Sequence, residues 1–130
     1  RQGNSVSFMA TGGIVSVVLE GGEMLAKEGV ECRVLSFQTV QPLDEVAILE
    51  AARETGGVLT IEEHSIIGGL GGAVSECLMD NQCYPKKFHR IGLRAGFSTV
   101  VGSQNYLRGI YEMDIKAILK AVRAARSLRS

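Results

Sequence analysis

Val58-Leu-Thr-Ile-Glu-Glu-His-Ser-Ile-Ile-Gly-Gly-Leu-Gly-Gly-Ala-Val-Ser-Glu76 is the stretch from which the fold of this 130-residue chain can be read. A β-rich apolar run, Val58 to Ile61, leads into two carboxylates and an imidazole, Glu62, Glu63 and His64. Gly68-Gly69-Leu70-Gly71-Gly72 follows, and after it a helical pattern puts Leu70, Val74, Cys77 and Leu78 on one face. The order predicted is strand, loop, helix. The polar cluster stands at the end of a buried strand, where open α/β sheets gather their ligands and contacts. The glycines let the backbone turn sharply and let a neighbour approach closely.

The same alternation extends in both directions. Upstream, Val6 to Ala10 reads as a short buried strand. Thr11-Gly12-Gly13 turns into a helix with Ile14, Val17, Val18, Met24 and Leu25 inward, Glu23 and Lys27 on its outer face, and Gly29 closing it in the left-handed region. Cys32 to Phe37 is a second strand. Pro42-Leu43 breaks the chain, Asp44 caps a helix ending near Thr55, and Gly56-Gly57 stop it. The third strand is Val58 to Glu62 and the third helix runs from Gly69 to about Met79. Downstream come a polar loop from Asn81 to Lys87, a fourth strand from Phe88 to Leu93, and an irregular stretch from Arg94 to Gly102. A short helix from Gln104 to Tyr111 is expected next, and then a last helix capped by Asp114 with Ile115, Ile118, Leu119 and Val122 inward. Strands alternating with helices predict an α/β fold. Its sheet is mostly parallel and covered on both faces, a three-layer α/β/α arrangement.

The length fits one domain spanning residues 1–130, and a chain that is 45% hydrophobic can build a core at this size. Fourteen basic residues balance fourteen acidic ones, tryptophan is absent, and there are only three Tyr and four Phe. This composition argues against a nucleic-acid partner, which needs a basic field and stacking platforms. No apolar run reaches spanning length, so no membrane role is expected and a cytoplasmic location is. The start at Arg1-Gln2-Gly3-Asn4, without an initiator Met, suggests a piece of a longer protein. Three cysteines, Cys32, Cys77 and Cys83, are an odd number for a disulfide scaffold, and Cys32 and Cys77 fall at core positions. Cys77-x5-Cys83-x5-His89 matches no common zinc spacing, so no metal ligands are assigned.

Each chemical candidate has a plainer counterpart. Thr11-Gly12-Gly13 before a helix can hold an anion on free N–H groups, or can simply be a tight turn; the full dinucleotide fingerprint and the phosphate-loop lysine are missing. Gly68 to Gly72 resembles a phosphate loop, but Val74 stands where the last glycine should be. Glu62, Glu63 and His64 can act as an acid/base or pH-sensitive group, or as polar residues meeting a neighbouring domain. Strand alternation sends Glu62 and Glu63 to opposite faces, and no Ser or Cys nucleophile pattern accompanies them, so the contact role is expected and no catalytic residue is assigned. Lys116, Lys120, Arg123, Arg126 and Arg129 make the last helix basic, as suits a helix C-terminus with a solvated face.

Thr60-Ile-Glu-Glu-His, a short spacer, and Gly-Gly-Leu-Gly-x-Ala-Val together resemble the last domain of transketolases. The same strand–loop–helix is similar, less closely, to 1-deoxyxylulose-phosphate synthases and to the β chains of 2-oxoacid dehydrogenases. Phe8-Met-Ala-Thr-Gly-Gly, Val34-Leu-Ser-Phe, Pro42-Leu-Asp and Arg90-Ile-Gly-Leu fall in the family's order, so the resemblance covers nearly the whole chain. It implies a five-stranded mixed sheet whose first, antiparallel edge strand precedes Val6. This chain would keep four parallel strands in the order second, first, third, fourth. Thr11, Gly12 and Gly13 would then face Glu62, Glu63 and His64, with Gly68 and Gly69 nearby, across the point where strand order reverses. The family moves two-carbon ketol units between sugar phosphates, as in the pentose phosphate pathway, with thiamine diphosphate and a divalent metal. Those cofactors are held by motifs of earlier domains, and no Gly-Asp-Gly with a distant Asn-Asn occurs here. The implied role is dimer and interdomain contact within a homo-oligomeric enzyme, the stretch itself binding no cofactor and being inactive alone. A deoxyxylulose-phosphate synthase domain and a stand-alone anion-binding module of flavodoxin-like build are the alternatives.

Overall fold

The computed structural model describes residues 3–38, 42–63, 69–93 and 104–127, without the side chains of 104–107 and 125–127. Strand β1 (Val6–Thr11) is buried at every position and leads through a 3-10 turn at Gly12–Ile14 into helix α1 (Val15–Ala26). Then follow β2 (Cys32–Phe37), α2 (Glu45–Glu54), β3 (Val58–Glu63), α3 (Leu70–Asp80), β4 (Phe88–Leu93) and α4 (Gln104–Ser127). All strand pairs are parallel, in the order β2-β1-β3-β4. The chain steps from β1 outward to β2 and then back across to β3. Right-handed crossovers therefore put α1 on one face of the sheet and α2 and α3 on the other.

The two cores follow from strand alternation. Val6, Phe8, Ala10, Leu59 and Ile61 meet Ile14, Val17, Val18 and Leu25 of the α1 segment and Ile115, Ile118 and Val122 of α4. Met9, Phe37 and Val58 meet Ile48 and Ala51 of α2 and Leu70, Val74, Cys77 and Leu78 of α3. Ser7, buried on the α2 side of β1, lies 2.9 Å from Thr55 Oγ1, which donates to Ala51 O at 2.8 Å and fixes the end of α2 against the strand. Asp44 accepts from Ala47 N at 3.1 Å, the expected N-cap, and Gly29 has φ +86°.

Two expectations are corrected. Asp114 does not start a new helix: Gln104 to Ser127 is continuous, and Asp114 lies inside it, 4% exposed. Met24 is 41% exposed, because Val17, Val18, Gly21, Gly22 and Leu25 occupy the buried stripe and Met24 falls at its rim. Of the loop after α3, Cys83 alone is fully buried, in the core beside α2 and α3. The stretch expected to be irregular, Arg94 to Gly102, lies outside the described residues. Among the described residues no helix is long and apolar enough to cross a membrane.

Candidate functional site at the carboxyl ends of the strands

Strand order reverses between β1 and β3, so the switch point lies where these two strands end. Ala10 pairs with Ile61, which brings Thr11 and Glu62 out side by side, both on the α2/α3 face. Thr11 is 6% exposed and its Oγ1 is buried with no hydrogen-bond partner among the described residues. Gly12 and Gly13 are exposed in the turn beyond it, and Gly12 takes φ +62°. The α1 N-terminus has no side-chain cap. His64 and Gly68, expected at this crest, lie outside the described residues.

Glu62 and Glu63 part as alternation requires and do different work. Glu62 turns toward α3, where Oε1 accepts from Leu70 N at 2.8 Å. A carboxylate there satisfies one orphan N–H of the helix and favours its positive end. Gly69, at φ +103°, sets the entry to that helix. Gly71 faces the same carboxylate: a Cβ there would stand 3.0 Å from both Glu62 Oε2 and Thr60 Oγ1 and in contact with Arg90 Nε. Thr60 and Arg90 are register partners across β3 and β4. Thr60, Glu62, Arg90, Gly71 and Leu70 N therefore form one joint. Sequence reasoning singled out Glu62 and the glycines but not Thr60 or Arg90. The available signal was Thr60's place two residues before Glu62 on the same face. Glu62→Ala is expected to lower stability by about 1 kcal/mol, the usual worth of a helix cap, with Glu62→Gln recovering part. Urea unfolding of the two variants checks this, and an alanine variant as stable as the parent would remove the capping role.

Glu63 turns to the other face, toward α1 and α4. Its Oε1 is buried and has no hydrogen-bond partner among the described residues. No group of three His, Cys, Asp or Glu side chains suited to a metal occurs among the described residues. The three thiols are free and buried, and burial, with Glu45 and Asp80 behind it, pushes the Cys77 thiol above its ordinary value, away from the nucleophilic thiolate. On the last helix Lys116 and Lys120 are exposed and Arg123 pairs with Glu28, whereas the side chain of Arg126 and the whole of Arg129 lie outside the described residues.

Comparison with known proteins adds to this geometry. The family model described as "Transketolase, C-terminal domain" matches residues 1–118. The 6-deoxy-6-sulfo-D-fructose transketolase subunit of Clostridium sp. (strain MSTE9) is 42% identical over 121 residues, 93% of this chain and 37% of that protein. The 1-deoxy-D-xylulose-5-phosphate synthase of Desulforudis audaxviator (strain MP104C) is 32% identical over 130 residues, 100% of this chain and 20% of that protein. A solved split-gene transketolase, described as an inactive β4 tetramer, superposes with a TM-score of 0.76 at 35% identity, covering 100% of this chain and 41% of the other. The chain thus spans well under half the length of these relatives.

Proposed function

Because this chain belongs to the transketolase C-terminal domain family, we propose that it is the closing domain of a thiamine-diphosphate-dependent enzyme that moves two-carbon ketol units between sugar phosphates. In this reading its part is mechanical. It holds domains and subunits together and leaves cofactor and metal to the rest of the enzyme. One observation carries the contact role: Glu62 is committed to α3, whereas Glu63 at the strand end keeps a buried carboxylate oxygen without a partner among the described residues. A desolvated carboxylate oxygen is costly unless something pairs with it, and a donor from a neighbouring domain or subunit supplies that pairing. His64, next in sequence, is assigned to the same contact, as are Thr11, Gly12, Gly13, Gly68 and Gly69 along the crest. A homo-oligomer is the expected assembly.

The test uses the full-length protein with thiamine diphosphate, a divalent metal and sugar phosphates. Ketol transfer is expected. Glu63→Ala and His64→Ala should weaken assembly or cofactor retention, and at saturation in the assembled enzyme should leave turnover within a few-fold. Loss of a general acid or base costs roughly a hundredfold or more. A fall of that size, with assembly and saturation unchanged, would place these residues in the chemistry and defeat the contact role. The match to a 1-deoxy-D-xylulose-5-phosphate synthase over the whole chain supports a second reading, a domain of such a synthase. Formation of 1-deoxy-D-xylulose 5-phosphate by the full-length protein, without ketol transfer, would decide for it.

A further inference from the structure

The outer surface of the α2/α3 layer carries an acidic groove. It is a cleft of about 240 Å³ between the start of α2 and α3 from Ala73 onward. Leu43, Ala73 and the buried Cys77 line its inner part, and the exposed carboxylates of Glu45, Glu76 and Asp80 stand around it. None of the three acids makes an ion pair among the described residues. Their field reaches the inner wall: after burial itself, Glu45 and Asp80 raise the Cys77 thiol. Met79, three positions after Glu76 and so on the same helix face, is more than half exposed beside them.

The opposite layer carries the complementary pattern. On α4, Met113, Lys116, Ala117 and Lys120 are all exposed and fall at i, i+3, i+4 and i+7, one continuous face. Met113, like Met79, is more than half exposed. Neither lysine makes an ion pair among the described residues. Lys116 and Lys120 stand four residues apart, as Glu76 and Asp80 do, so each pair spans about 6 Å of helix. The small side chain of Ala117 between the lysines lets a partner come close. α4 packs on the α1 side of the sheet and the groove lies on the α2/α3 side, so the two surfaces of one molecule cannot meet. Those of two molecules can.

We propose that the 113–120 face of α4 docks into the acidic groove of a second copy of this chain, with Lys116 and Lys120 against Glu76 and Asp80, and Met113 against Met79 and the groove wall. Exposed ion pairs alone hold little. The methionines, unbranched and adaptable, supply the contact, and the charges set the register and reject like-charged partners. The contact joins two different surfaces, so each copy keeps one of them free for the next, and association runs on until a ring closes or a chain grows. It is separate from the crest and adds a step to any assembly made there.

Sedimentation of the full-length protein reads this step. Species larger than the oligomer seen at about 0.5 M salt are expected at about 0.05 M, where exposed charges are far less screened. Lys116→Glu with Lys120→Glu, and separately Glu76→Lys with Asp80→Lys, should each weaken the step about tenfold or more, since like charges then face each other. Mixing the two variants should restore it, because each offers the charge that the other lacks, and restoration also shows that both are folded. A parent protein with no such step at low salt, as when another domain of the same chain covers either face, overturns the proposal. So does a step that the reversals leave unchanged, or a mixture that associates no better than its components.

Discussion

Ile118→Ala is expected to cost about 4 kcal/mol, within the range for emptying a fully buried isoleucine site. Ile118 is 0% exposed on α4, and its Cγ2 lies 3.3 Å from where a Cβ on Gly21 of α1 would stand. The two helices meet so closely at Gly21 that neither can shift far to fill the hole. This is the condition under which the cavity penalty is added to the lost transfer energy. Ile118→Val, which removes one methylene, should cost about 1 kcal/mol. Urea unfolding followed by circular dichroism measures both. An alanine variant within about 1.5 kcal/mol of the parent would mean that α4 does not seal this core.

The second large effect concerns two neighbouring glycines with opposite fates. Gly71→Val should destabilise by about 3 kcal/mol, and Gly72→Ala should be neutral or stabilise by up to about 1 kcal/mol. Both sit in the first turn of α3, where replacing Gly by Ala gains helix propensity of about 1 kcal/mol. At Gly72 nothing lies within 4 Å of a new Cβ, so the gain is kept. At Gly71 the new atom meets Thr60 Oγ1, Glu62 Oε2 and Arg90 Nε. Arg90 is exposed and can swing away, but Thr60 is 0% exposed and Glu62 is held by Leu70 N. Valine adds two methyls to a site already too tight for one, and overpacking of this kind typically costs 1–3 kcal/mol, occasionally more. If both variants unfold at the same urea concentration, the joint between β3 and α3 is not packed as described.

The strands were legible because each is a short apolar run between breakers, and Cys32–Phe37 and Phe88–Leu93 coincide with their expected limits. Strand order came only with the family resemblance, since no local pattern encodes which strands lie side by side. The last helix was misread at Asp114. Aspartate before an apolar stripe looks like an N-cap, a signal made by a few residues. Continuous packing of Ile115, Ile118 and Val122 against the sheet and α1 outweighs it and carries the helix straight through. In the site, alternation alone separated Glu62 from Glu63. What each does could not be read, because Glu62's partner is the first N–H of a helix eight residues later. Lys87 carried no signal at all: in sequence it is one of two lysines in a polar loop, yet its Nζ is buried.

The seating of α4 on α1 also sets an order of events during synthesis. Tyr111 reaches back to Ser16 O at 3.4 Å, and Arg123 pairs with Glu28, both across 95 positions of chain. Once Leu93 has left the ribosome, the sheet and its α2/α3 side can close. Ile14, Val17, Val18 and Leu25 still lack the α4 part of their cover until Val122 emerges. At 5–20 residues per second that interval lasts roughly 1.5 to 6 seconds. For that time the nascent chain presents an apolar helical stripe to whatever meets it at the tunnel exit.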